Sequence, residues 1–171
     1  MNKELQQRLK QGLFKAIQTE NEGYNFYMMA ANNTEDEKGR QIFQELAEDE
    51  LKHKEFLNEQ YQSLLDTGDI NRELELGLMT EYHGDNPIFS DNLKMRLGDA
   101  DREMTALSIG IQLELNAIEF YREQAQMAGD ERIEKFFQQL ADWESGHYHA
   151  LLKQHDALKE DYWNAAGFAP F

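Results

Sequence analysis

Glu50-Leu51-Lys52-His53 and Glu144-Ser145-Gly146-His147 decide how the rest of this chain is read. Residues three apart share one face of a helix, so each stretch turns a carboxylate and an imidazole the same way. Working outward, Glu20 lies 30 residues before Glu50, and Glu114 lies 30 before Glu144. An offset of 94 residues carries Glu20 to Glu114, Glu50 to Glu144 and His53 to His147. The same shift carries Leu13 to Leu107, Ile17 to Ile111, Phe26-Tyr27 to Phe120-Tyr121, Phe43 to Phe137 and Leu46-Ala47 to Leu140-Ala141. One Glu-x-x-His among 33 acidic residues carries little. A duplicated helix pair that keeps Glu, Glu and His in both copies carries a site.

The apolar seams around these residues predict four helices. The first runs from near Asn2 to about Ala31, with Leu9, Leu13, Ile17, Glu20, Tyr24, Tyr27 and Ala31 stepping by four and three. Asn32-Asn33-Thr34 breaks it, and Thr34-Glu35-Asp36-Glu37 reads as a capping box for the second. That helix presents Phe43, Leu46, Glu50, His53 and Leu57 and stops near Thr67-Gly68, glycine being the usual residue past a helix end. The third spans roughly residues 100–128, with Leu107, Ile111, Glu114, Ile118, Tyr121 and Ala125 on its seam. Gly129-Asp130 stops it and restarts the fourth, which carries Phe137, Leu140, Glu144, His147 and Leu151 to about Glu160.

The expected plan is therefore one domain: a helix pair over residues 1–67, a connection over 68–100, a second pair over 101–160 and an aromatic tail over 161–171. In the connection, His83-Gly84-Asp85-Asn86-Pro87 is a turn, and Ser90-Asp91 caps a short helix ending near Gly98. Its length lets the third helix return to the end where the first began. The fold class is all-α, a four-helix bundle with a long crossover between helices 2 and 3 and an internal two-fold duplication, as in ferritin-like bundles. The tail, Tyr162-Trp163 to Phe171, is expected to pack on the bundle or on a neighbouring subunit.

Composition narrows the function classes. With no cysteine, disulfides, thiolate metal sites and iron–sulfur clusters are excluded. A net charge of −16 argues against nucleic acid and anionic membranes as partners. No apolar run approaches membrane-spanning length and the start shows no basic-then-apolar pattern, so a cytoplasmic protein is expected.

Glu20, Glu50, Glu114 and Glu144 all fall on seams between apolar neighbours. Burying one carboxylate costs several kcal/mol, and four together also repel one another. Two neutral imidazoles cannot balance four negative charges, but two divalent cations can, and this donor set suits iron or manganese. One Glu from each of two helices and Glu-x-x-His from each of the other two is the dinuclear carboxylate arrangement of helical bundles. Tyr27 and Tyr121, two turns beyond Glu20 and Glu114, are placed to hydrogen-bond ligand carboxylates or to fill the core. His83, His149 and His155 have no carboxylate at ligand spacing and read as solvent-exposed, Trp143 as a packing or subunit contact, and Met28-Met29 as core filler.

At this point the chain resembles the rubrerythrin branch of the ferritin-like superfamily, in its short form without a rubredoxin domain. The order Glu…Phe-Tyr followed by Glu-x-x-His, given twice, carries the resemblance, as does the ending Tyr162-Trp163…Gly167-Phe168-Ala169-Pro170-Phe171. It implies a bundle with two iron ions, or manganese or zinc as isolated. Glu50 and Glu144 would bridge them, Glu20 with His53 would complete one metal and Glu114 with His147 the other. It also implies reduction of peroxide or dioxygen by electrons from an external donor protein, and a homodimer is expected. The alternative is a ferroxidase that binds iron for storage or buffering; hydroxylation of an organic substrate ranks below both. The chain departs from typical members in two respects that bear on mechanism: it carries no cysteine-bound iron domain, so electrons are expected from a separate protein, and it lacks one carboxylate. Typical members carry a further carboxylate three residues after the third-helix ligand, which takes over one iron on oxidation; here that position is Ala117, and its counterpart is Gly23.

Overall fold

The computed structural model describes residues 2–71 and 101–165. Four helices account for nearly all of them: α1 (Lys3–Asn33), α2 (Glu37–Thr67), α3 (Asp101–Met127) and α4 (Glu131–Ala165), with no strand among the described residues. The Asn2 side chain caps α1 by accepting from the Leu5 amide at 2.8 Å. Gly68 (φ 77°) and Gly129 (φ 64°) end α2 and α3 in left-handed conformations that a side chain would strain.

The turn between α1 and α2 differs from the expected capping box. Thr34 is not the N-cap of α2; it is the buried C-cap of α1, its amide donating to Ala30 O. Asp36 caps α2 instead, accepting from the Gly39 amide at 2.9 Å. The two asparagines fail to break α1 because Asn33 satisfies a carbonyl of the preceding turn, its side-chain amide donating to Met29 O at 2.8 Å. At the other terminus α4 runs to Ala165, past the expected Glu160, so Tyr162 and Trp163 belong to the helix. Between Glu160 and Gly167 the sequence holds neither glycine nor proline. The turn at residues 83–87, the short helix capped by Ser90-Asp91 and the tail from residue 166 lie outside the described residues.

α1 packs along α2 and α3 along α4, and α1 also meets α3. Gln6 Nε2 donates to Gly68 O at 2.9 Å, which puts the end of α2 beside the start of α1. Arg102 lies 3.7 Å from Glu35, which puts the start of α3 beside the end of α1. The expectation that the third helix begins where the first began is thus corrected. A hairpin has already returned the chain to that end, so the connection between α2 and α3 joins opposite ends of the bundle, which is what a crossover does.

The core divides into two apolar clusters. One gathers Leu13, Leu57, Leu64, Tyr121, Ala125, Phe137, Leu140 and Ala141. The other gathers Leu107, Leu151, Leu158, Tyr27, Ala31, Phe43, Leu46 and Ala47. These eight residues of the first cluster map one for one onto these eight of the second by the 94-residue offset. The duplication is therefore a pseudo-two-fold of the structure, exchanging the two ends of the bundle, with the layer between them left for the acidic residues. Among the methionines, Met28 is partly buried against the second cluster. Met29, expected in the core, is 54 % exposed because it falls one position off the seam.

Candidate metal centre

Glu20 on α1, Glu50 and His53 on α2, Glu114 on α3, and Glu144 and His147 on α4 are all buried and meet between the two apolar clusters. The bundle brings all six predicted residues together. They form two groups of four, Glu20, Glu50, His53 and Glu144, and Glu50, Glu114, Glu144 and His147, whose donor atoms all lie within 4.8 Å of one another. A cation bonded at about 2.1 Å to each donor spans about that distance, so either group suits one ion. Glu50 and Glu144 belong to both.

Both imidazoles turn Nδ1 toward the carboxylates. His53 Nδ1 lies 3.1 Å from Glu20 and 3.1 Å from Glu144. His147 Nδ1 lies 3.3 Å from Glu144, 3.5 Å from Glu50 and 3.8 Å from Glu114. The rings are nearly parallel at 15°, their centroids 5.6 Å apart. Both carboxylate oxygens of Glu144 are buried without a hydrogen-bond partner among the described residues. Two buried oxygens so placed, with imidazole nitrogens converging on them, fit a cation.

The electrostatics report the same crowding of negative charge. Burial, then repulsion from Glu144, Glu20 and Glu114, pushes Glu50 well above the usual carboxylate range. Glu114 is pushed up in the same way by burial and by Glu144. Burial opposes charge on His53, but Glu144 and Glu20 overcome it and lift the imidazole to about 9. His147 is also raised, burial being outweighed by Asp49, Glu144 and Glu50. The two imidazoles in turn hold Glu144 well below its usual range against the effect of burial. Protons and cations compete for this cluster, and either neutralises it.

Behind the carboxylates, the two tyrosines cross the pseudo-two-fold. Tyr27 donates to Glu114, and Tyr121 donates to Glu20, so each hydroxyl serves the glutamate of the other copy. Burial, then the charge of the accepting glutamate, keeps both phenols well above their ordinary range and therefore protonated as donors. Ring stacking on Phe43 and Phe137, with centroids 6.4 Å apart in each pair, holds them in place.

A cleft of about 210 Å³ between α1 and α3 reaches the four glutamates from the surface, past Lys15, Thr19 and Asn116. Gly23 and Ala117 also line it, and a Cβ on Gly23 would sit 3.0 Å from the Glu50 carboxyl carbon. Neither histidine lines the cleft. Of the remaining histidines, His149 is exposed and bonded to Ser145 O, as expected. His155 is only partly exposed, 3.4 Å from the adjacent Asp156, and His83 lies outside the described residues.

Of two further neighbours of the site, Asp49 escaped the sequence pattern, and Trp143 makes a packing contact, one of the two readings expected for it. Asp49, one residue before Glu50, is buried with Oδ2 3.8 Å from His147 Nε2. Trp143, one residue before Glu144, sets its ring 4.5 Å from that of His53, so it packs on a site histidine. The 94-residue offset pairs the two and could have flagged them as the place where the copies differ.

The family model described as Rubrerythrin matches residues 12–155, a span that holds both copies of the helix pair and all six site residues. No curated protein and no solved structure matches the chain. No helix among the described residues is long and apolar enough to cross a membrane.

Proposed function

This chain belongs to the rubrerythrin family, and on that premise we propose that it is a non-haem di-iron oxidoreductase, reducing hydrogen peroxide or dioxygen with electrons from a separate donor protein. The observation that carries the reading is the sharing of Glu50 and Glu144 between two groups of four donors. Glu50 and Glu144 would hold both ions, Glu20 and His53 would complete one position, and Glu114 and His147 would complete the other. When bound, the two irons supply the two electrons that cleavage of a peroxide O–O bond consumes.

The rest of the reading concerns the chain itself. Tyr27 and Tyr121 fix the carboxylates of Glu114 and Glu20 by hydrogen bonds across the axis. The apolar clusters on either side keep bulk water from the ligands and preserve the strength of these contacts. Gly23 and Ala117 line the cleft beside the carboxylates with little or no side chain, and its volume of about 210 Å³ favours a small oxidant such as peroxide or dioxygen over a bulky organic substrate. The 171 residues contain no cysteine thiolate to hold an iron–sulfur centre, which supports an electron source outside them.

Anaerobic titration of the metal-free protein with ferrous iron, followed by stopped-flow mixing with peroxide or oxygen, tests this. Saturation at two ions per chain and faster oxidation by peroxide than by oxygen are expected. Saturation at one ion, or none, would defeat the dinuclear assignment. Oxidation by oxygen with continued uptake of iron would favour iron handling instead.

A further inference from the structure

The pseudo-two-fold matches all six donors, yet it carries Asp49 onto Trp143. The two histidines therefore stand in different surroundings on their outer side. With Nδ1 turned to the carboxylates and needed as a lone-pair donor, the proton of each neutral imidazole sits on Nε2. Behind His147, that Nε2 faces Asp49 Oδ2 at 3.8 Å, while Lys52 takes the other oxygen, Oδ1, at 2.7 Å and turns the carboxylate. Behind His53, Nε2 is buried with no hydrogen-bond partner among the described residues. The Trp143 ring lies against that imidazole at 64°, and an indole N–H is a donor that cannot accept the imidazole proton.

A carboxylate behind a ligand imidazole fixes the ring and raises its basicity, and losing such a partner costs roughly 10- to 100-fold in metal affinity. Building on the dinuclear reading, we propose that Asp49 and Trp143 make the two metal positions unequal: the position of Glu114 and His147 fills first and more tightly, that of Glu20 and His53 second. Asp49 is a positioning residue, acting on the cation only through His147. Trp143 fills the equivalent space without supplying an acceptor.

The test is anaerobic titration of the metal-free full chain with Co(II), followed by calorimetry and by the visible bands of the bound ion. The wild type should bind in two steps separated by roughly 10-fold or more in affinity. His147→Ala should abolish the tight step and His53→Ala the weak one. Asp49→Asn should weaken the tight step by about 10-fold and shift its spectrum while leaving the weak step in place. Trp143→Phe, which adds no acceptor, should keep the two-step form. Two equal steps in the wild type, assignment of the tight step to His53, or an Asp49→Asn variant that weakens both steps alike would overturn the proposal. The wild-type and histidine titrations decide it even if Asp49→Asn does not fold. Failure to bind two Co(II) ions at all would instead refute the dinuclear reading beneath it.

Discussion

Glu50 and His53 sit one turn apart on α2, but they occupy different positions in the site: Glu50 is in both donor groups and His53 in one. Glu50→Ala should therefore lose both ions, whereas His53→Ala should retain one, held by Glu114 and His147. Metal content after gel filtration of iron-loaded protein distinguishes these outcomes, and equal losses would contradict the shared role of Glu50. The two variants should also differ in how stability responds. Glu50→Ala removes a carboxylate whose charge the fold resists, so the metal-free protein should keep most of its melting temperature, and the loaded protein should lose the gain that metal gives. The six converging residues were legible in the sequence because helical period and a fixed offset put them on seams. The partners of their outer atoms were not, since Asp49 and Trp143 lie one residue off those seams.

Where α1 crosses α2, the spacing is set by Gly23. A methyl group there would come within 3.1 Å of a Glu50 oxygen, tighter than ordinary contact, so the Glu50 carboxylate must shift by a few tenths of an ångström along the cleft that it lines. Alanine is the better helix former by up to about 1 kcal/mol. Gly23→Ala should thus leave the metal-free melting temperature equal or higher while lowering the affinity for both ions through the displaced Glu50. A fall in metal-free stability with unchanged affinity would show that the close approach does not matter to the site. α3 carries Ala117 at the equivalent position, already with its Cβ and lining the cleft. Ala117→Glu should be accepted and should place a carboxylate one turn from Glu114. In the wild type neither Gly23 nor Ala117 offers a spare anionic ligand, so His53 and His147 should remain bound in both oxidation states; structures of oxidised and reduced protein check this. At this scale the helix seams were readable, and the ends less so. Asn33 continued α1 by bonding its own helix, moving the next cap to Asp36, a competition between side-chain and backbone partners that residue type alone does not settle.

For the whole molecule, the crowded carboxylates make stability depend on pH in opposite senses with and without metal. His53 titrates near 9 when folded, against about 6.5 in an unfolded chain. Its stabilising contribution to the metal-free protein is present in full below the lower value and is lost as pH rises through the higher one. Glu50 and Glu114, also raised, act in the same direction, favouring the fold while protonated and less so as pH rises through their folded values. Metal binding displaces those protons, so its affinity increases with pH. The melting temperature of chelator-treated protein should fall between pH 6 and about 9, and the gap to the metal-loaded protein should widen over the same window. A gap that stays constant, or a melting temperature indifferent to chelator, would mean that the cluster is not the metal site.

The chain by itself determined the four helices of the described residues, the duplication and the six residues that converge, because each is written as a period along one dimension: 3.6 residues per turn and 94 residues between copies. A helical period says which face a residue takes; it does not say what comes to meet that face from across the core. That was decided only when two helix pairs packed end over end. The packing set the direction of α3, handed Tyr27 to Glu114 and Tyr121 to Glu20, and brought Asp49 to His147 and Trp143 to His53. Contacts between residues nearly a hundred positions apart depend on the relative placement of whole helices, which the burial of both apolar clusters fixes together and no local pattern encodes.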